Sequence, residues 1–128
     1  MPCIHVIDQV SQTLNISQYT DDMIELRCDL IDENDWLTIF NKFKNHPIIA
    51  TYRTIQHGGQ GVKSRVASFI NTFKLLPCFI DIEYDWDIVA FNIDPDQVIL
   101  SVHTKTLKET DHAIHVMKRQ KAYRYKCV

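Results

Sequence analysis

Glycine is scarce in this sequence, and all three glycines, Gly58, Gly59 and Gly61, lie in one short segment. The segment has neither the G-x-G-x-x-G pattern nor the G-K-[ST] ending of common phosphate-binding loops, which argues against a nucleotide site. A Gly-Gly pair permits a positive φ or the close approach of a ligand. We predict a flexible loop over the edge of a sheet here.

Long apolar runs are also missing. No stretch approaches the ~18–20 apolar residues that a membrane-spanning helix needs. The first residues lack the basic start and long apolar core of a signal peptide, so the cytoplasm is the expected location. The net charge of −2 provides no strong attraction to nucleic acid or to a membrane surface.

The cysteines show no C-x-x-C spacing, which is the usual mark of a zinc or redox site. Cys3, Cys28, Cys78 and Cys127 each fall within a strand-like run. We therefore expect reduced, mostly buried thiols and no metal site.

The chain alternates between apolar runs rich in β-formers and amphipathic stretches, and its 128 residues suffice for one domain. Amphipathic spacing predicts helices that begin after the acidic residues 32–35, around Val62 and at a Thr106–Glu109 capping box. Such alternation indicates an α/β fold in which parallel strands pair in chain order and helices cover the outer face. The predicted strands are 3–7, 23–30, 47–54, 78–85, 98–102 and 122–128.

Charged residues alternate inside two of these strands. Glu25, Arg27 and Asp29 should share one face of their strand, and the same spacing relates Asp81, Glu83 and Asp85. Buried charges are costly unless they are paired or used. Two such strands in one chain favour a shared polar interior that serves as a functional site.

Polar residues also mark the carboxyl ends of the predicted strands. Arg27, Arg53, Glu83, His103 and Lys126 follow one another at intervals of 20 to 30 residues. That spacing fits successive β-α units, whose carboxyl ends carry the catalytic groups in barrels. On spacing alone, His103 could equally be a capping or packing histidine, and a lysine near a chain end is normally solvated.

Five motifs in this order resemble the type I 3-dehydroquinate dehydratases, and together they cover the whole chain. They are Glu25-Leu26-Arg27-Cys28-Asp29, Ala50-Thr51-Tyr52-Arg53-Thr54 with Gly58-Gly59, Ile80-Asp81-Ile82-Glu83, Ile99-Leu100-Ser101-Val102-His103 and Tyr125-Lys126. The resemblance implies a (β/α)8 TIM-type barrel. The chain, residues 1–128, would then be one incomplete barrel domain with about six of eight β/α units.

The resemblance also implies a lyase of the shikimate pathway, which serves aromatic amino acid biosynthesis. Lys126 would form a Schiff base with 3-dehydroquinate, and His103 would transfer protons during a syn elimination that gives 3-dehydroshikimate. Glu25, Arg27 and Arg53 would bind the substrate, supported by Asp81 and Glu83. No cofactor or metal would be required, because the lysine acts as the electron sink.

The sequence departs from the family pattern at three places. His57 replaces the usual glutamate before the Gly-Gly pair, and Thr104 replaces the usual acidic residue after the histidine. The family's last two strands, with an arginine and a polar lid loop, have no counterpart after Val128. The chain is therefore expected to be one piece of a longer polypeptide or to associate with itself. Some family members are fused to a shikimate dehydrogenase domain, so the longer polypeptide could include one.

Two alternatives stay open at this point. Another Schiff-base barrel enzyme of the aldolase type would also use a strand-borne lysine, although the Glu-x-Arg and Gly-Gly motifs argue against it. An inactive or truncated fragment that acts only as a partner-bound piece is the other.

Overall fold

The computed structural model describes residues 4–10, 22–86, 88–103, 107–117 and 124–127, with residues 88, 89, 107, 110 and 124–127 described by their backbone. Its strands are β1 (Ile4–Ile7), β2 (Met23–Arg27), β3 (Ile48–Thr51), β4 (Phe79–Glu83), β5 (Val98–Val102) and β6 (Arg124–Cys127). Its α-helices are α1 (Trp36–Phe43), α2 (Val66–Phe73), α3 (Ile88–Phe91) and α4 (Leu107–Met117).

The six described strands form one sheet in the order β1-β2-β3-β4-β5-β6, and every pairing is parallel. This confirms the predicted α/β architecture, which corresponds to a truncated TIM-type barrel. The strands are parallel because each connection carries the chain back to the same end of the sheet, and strands that follow one another in the chain lie side by side, as is usual.

One face of the sheet forms the core together with the helices. Ile24, Leu26, Ala50, Ile82 and Leu100 alternate with the polar positions of their strands and are fully buried. They join an aromatic cluster in which the Trp36 ring lies edge-on to the rings of Tyr52 and Phe69. The Trp36 indole N–H donates to the carbonyls of Cys28 and Ile31 at 3.0 and 3.1 Å, which satisfies its one polar group.

Three strands end earlier than predicted. β2 ends at Arg27 because Cys28–Leu30 forms a 3-10 turn, so Asp29 does not continue the strand. β4 ends at Glu83, so Asp85 lies in the following turn, and β3 ends at Thr51, two residues before Arg53. The expected face-sharing of Asp29 with Arg27, and of Asp85 with Glu83, through strand alternation is therefore wrong.

The predicted helices agree closely with the structure where it describes them. Helix α1 covers the expected apolar positions, while α2 begins at Val66 after a 3-10 turn over Lys63–Arg65. Val62, expected as a helix position, precedes that turn and is 46% exposed. The predicted capping box includes Thr106, which lies outside the described residues.

Two cysteines have described side chains, and both are free, buried thiols as expected. Burial raises the pKa of Cys78 to about 12 and that of Cys28 well above its ordinary value. These thiols are therefore protonated and unreactive at neutral pH. Cys3 and the side chain of Cys127 lie outside the described part of the chain.

No helix within the described ranges combines the length and the apolar character that crossing a membrane requires.

Candidate active site

The glycine segment is a tight turn that packs on the backbone of Arg53. A 3-10 turn over Ile55–His57 ends at Gly58, whose φ is +91°. The amide of Gly59 donates to the carbonyl of Thr54 at 2.9 Å, and the amide of Gly61 donates to that of Arg53 at 2.8 Å. The loop is thus a hydrogen-bonded element that positions Arg53, which the expectation of a flexible loop did not anticipate.

We expect Gly59→Ala to lower the free energy of unfolding by about 3 kcal/mol or more. A Cβ at this position would lie 2.1 Å from the carbonyl oxygen of Arg53, and a backbone atom cannot move aside cheaply. Denaturant titration measures the loss.

Gly58→Ala is the matched control in the same turn. Its Cβ would meet no atom within 4 Å, so only the left-handed backbone would resist the change, at a cost of about 1–2 kcal/mol. Equal losses for the two variants would contradict the close-packing argument.

The second face of the sheet carries the polar residues, and the strand register explains why they gather. Thr51 pairs with Arg27 on one side and with Asp81 on the other. Ser101 pairs with Glu83 and with Lys126. Register partners in a parallel sheet lie on the same face, so this face collects polar side chains from β2 to β5.

A buried ionic network occupies the middle of this face. The guanidinium of Arg53 donates from Nη1 to the hydroxyl of Ser101 at 3.0 Å, and its Nη2 lies 3.2 Å from Oδ2 of Asp81. The hydroxyl of Ser101 in turn donates to Asp81. All three residues are at most 5% exposed, so the arginine is desolvated and paired at once.

Glu83 is fixed by the residue that follows Arg53. The backbone N–H and the hydroxyl of Thr54 donate to its two carboxylate oxygens, each at 2.8 Å. Nη1 of Arg53 lies 3.8 Å from the same carboxylate. Burial raises the pKa of Glu83, and the hydrogen bonds from Thr54 oppose that rise by stabilising the ionised form.

Arg27 and Asp29 form a separate, bidentate ion pair near the end of β2. Arg27 donates from Nε and Nη2 to the two oxygens of Asp29 at 3.0 and 2.8 Å. Burial alone would raise the pKa of Asp29, but the hydrogen bonds from Arg27 and from the amide of Gln60 hold it below its ordinary value.

Asp29→Asn should weaken the acid dependence of stability. A carboxyl whose pKa is lower in the folded state stabilises the protein above the unfolded pKa of about 3.9, and this contribution is lost as the pH falls through the folded pKa. We expect the variant to lose about 1–3 kcal/mol at neutral pH and less, relative to the native chain, below about pH 4.

Urea titrations at a series of pH values would measure this difference. Asp111→Asn, at an exposed position on α4, is the control. A constant gap between Asp29→Asn and the native chain at all pH values would contradict the assignment.

His103 follows β5 and lines a cleft of ≈ 340 Å³ beside the network. The other lining residues are Gln56, His57, Tyr84, Asp85 and Glu109. His57, from the glycine turn, lies 3.2 Å from Oδ2 of Asp85 and 3.4 Å from Oε2 of Glu83 through Nε2. The hydrogen bond to Asp85 raises the pKa of His57, and that of Asp85 is correspondingly lowered.

The structure brings together several of the residues singled out from the sequence. Arg53, Asp81 and Glu83 share one network, and Glu25 joins the same face by accepting a 2.8 Å hydrogen bond from the hydroxyl of Thr51. Arg27 is held by Asp29 instead. The backbone of Lys126 lies in register with Ser101, and its side chain is outside the described part.

Sequence reasoning gave no role to Ser101, Thr54 or His57. Ser101 carried one signal, since it is a polar residue at a position of β5 that is fully buried. His57 was marked only as a departure from the family pattern, and Thr54 carried no signal, because the contacts of both residues with Glu83 depend on how the chain folds after β3.

Comparison with known proteins assigns the family. The sequence profile described as Type I 3-dehydroquinase matches residues 3–128. The chain is 31% identical over 105 residues to the 3-dehydroquinate dehydratase of Streptococcus equi subsp. zooepidemicus (strain H70). It is 32% identical over the same length to the proteins of that name from Streptococcus pyogenes serotype M5 (strain Manfredo) and serotype M1.

Each match covers 73% of this chain and 46% of the relative, so the chain spans about half the length of these curated relatives. The residues that the family profile matches, 3–128, include the strands that carry the buried network and the cleft. The chain belongs to the type I 3-dehydroquinase family.

Proposed function

We propose that this chain carries the residues that form and use the Schiff base in a 3-dehydroquinate dehydratase, a lyase acting in the shikimate pathway. The observation that supports this most is the polar face itself, where Lys126, Ser101 and Glu83 are consecutive register partners beside the buried Arg53. Because the chain spans 46% of the relatives' length, the proposal concerns the steps that these residues perform.

The proposed reaction begins at Lys126. Its amine attacks the ketone of 3-dehydroquinate, and loss of water gives an iminium. The iminium accepts the electron pair left when His103 removes a proton from the neighbouring carbon. The resulting enamine expels the β-hydroxyl, which leaves as water after His103 returns the proton, and hydrolysis of the product iminium releases 3-dehydroshikimate and the free lysine.

The buried network supports this chemistry through position and charge. Arg53 places a permanent positive charge next to β5, between Asp81 and Ser101. We assign substrate contacts to Arg27, Arg53 and Glu25. Asp81 and Glu83 have a supporting role, because their carboxylates hold Arg53 in place.

No separate cofactor is part of this proposal, since the iminium is the electron sink. The cytoplasmic location expected from the sequence belongs to it as well. Self-association, or pairing with a further segment or a fused domain, stays a prediction. It is supported by Ile4 and Val6 on β1, whose side chains are 61% and 51% exposed and would be covered by such a partner.

Covalent trapping tests the proposal. Borohydride added together with 3-dehydroquinate should reduce the iminium and fix substrate-derived mass on Lys126, located by peptide mass spectrometry. A label on Lys105 or Lys121 would refute the assignment of the lysine. Dehydration without any label would refute the Schiff-base mechanism, and the absence of both would refute the function.

An aldolase-type activity is the alternative with the same covalent intermediate. The Glu25-x-Arg27 motif, whose arginine is held by Asp29, and the Gly58-Gly59 pair, whose turn packs on Arg53, favour the dehydratase. Cleavage of a carbon–carbon bond in place of loss of water would decide for the alternative.

A further inference from the structure

His57, Glu83 and Asp85 gather at one wall of the cleft that His103 also lines. One potential ligand atom from each lies within 4.8 Å of the others. We propose that these three residues form a binding site for a divalent transition-metal ion of the zinc class, a role beyond the proposed function.

The spacing of the donor atoms suits such an ion. Nε2 of His57 lies 3.2 Å from Oδ2 of Asp85 and 3.4 Å from Oε2 of Glu83. Nitrogen and oxygen ligands about 2.0–2.1 Å from a tetrahedral zinc ion are about 3.4 Å from each other. An ion could therefore enter with small movements of the three side chains.

The local preorganisation also favours a cation. The side chain of His57 is 8% exposed. Its Nε2 contacts the two carboxylates, and its Nδ1 is buried without a hydrogen-bond partner in the described structure. Glu83 is held by Thr54 through both oxygens. Two ligands are thus fixed before any ion arrives.

Charge and access point the same way. The carboxylates of Glu83 and Asp85 face the imidazole of His57. The guanidinium of Arg53 lies 3.8 Å from Glu83 but 3.2 Å from Asp81, so it is closer to a carboxylate outside the site. Asp85 is 43% exposed at its side chain, so an ion can reach the site from the cleft. Three protein ligands leave a tetrahedral ion one position for water or for a ligand in the cleft.

A bound ion would fasten the glycine turn to the end of β4. His57 belongs to the turn, whereas Glu83 and Asp85 belong to β4 and the residues after it. The imidazole nitrogen makes the site better suited to zinc-class ions than to magnesium or calcium, which prefer oxygen ligands alone.

Titration with Co²⁺, followed by its visible absorption and by calorimetry, tests the proposal. We compare the native chain with His57→Gln, Asp85→Asn and the control His112→Gln, which changes an exposed histidine on α4. Each of the first two variants should weaken Co²⁺ binding at least about tenfold, since even changes to groups that only orient a ligand cost about 10–100-fold. The control should bind as the native chain does, and Zn²⁺ should displace Co²⁺.

Equal Co²⁺ affinity in Asp85→Asn and the native chain would overturn the site, as would a native chain that shows no binding at millimolar Co²⁺. Asp85 is exposed, so its variant keeps the test decisive even where His57→Gln folds poorly. Binding requires no turnover, so its failure is distinct from failure of the proposed dehydration.

Discussion

Replacing Arg53 with methionine is expected to lower the free energy of unfolding by about 3–5 kcal/mol. Arg53 is 5% exposed and faces Asp81 and Glu83, which are 2% and 1% exposed. Removing the cation leaves two buried carboxylates without their opposite charge, and the hydrogen bonds from Ser101 and Thr54 replace only part of it. Denaturant titration would measure the change.

Arg65→Met is the matched control. Arg65 lies 3.1 Å from Glu33, but the two side chains are 60% and 39% exposed, so the pair is solvated. Exposed pairs are worth about 0–1 kcal/mol, and the control should lose no more than that. If Arg53→Met lost as little as Arg65→Met, the buried network would not be a stabilising unit.

From the proposed function, Lys126→Ala should reduce turnover of 3-dehydroquinate by at least about 10⁴-fold, because removing the proposed covalent nucleophile removes the reaction path and not merely a contact. The same variant should accept no label from borohydride and substrate. Growth of enone absorbance measures the rate, and intact-protein mass measures the label.

Lys105→Ala and Lys121→Ala are the corresponding controls, since in the sequence Lys105 closely follows β5 and Lys121 closely precedes β6. They should retain labelling and most of the turnover. Retained labelling in Lys126→Ala would show that another lysine forms the Schiff base. Retained turnover without labelling would exclude an iminium on the reaction path.

The fold was largely predictable because its signals are local. Alternation of Glu25 and Arg27 with buried Ile24 and Leu26 reports one polar and one apolar face of β2. The parallel order followed from the alternation of apolar and amphipathic segments and from the right-handed rule for β-α-β crossovers. These signals need no knowledge of distant contacts.

The site was predictable only in part because its contacts are not local. Nothing in the sequence shows that Arg53 spends its donors on Asp81 and Ser101, or that Asp29 leaves its strand to hold Arg27. Those choices depend on where β3 and β2 end, and strand ends are set by the turns that follow. His57 was noticed only as a departure from the family pattern, yet it joins two carboxylates across the cleft.

The order of the strands in the sheet has a consequence for how this chain folds. Each new strand can add to the edge of those already formed as the chain leaves the ribosome, because sequence neighbours are sheet neighbours. The buried network breaks this simple progression, since Arg53 is separated from Ser101 by 48 positions and Asp81 from Ser101 by 20. Until β5 docks, Arg53 and Asp81 lie hydrated at an open edge of the sheet, without the hydroxyl of Ser101 that joins them. The polar face is therefore completed late in folding, and the polar side chains of β3 and β4 stay hydrated until β5 is added.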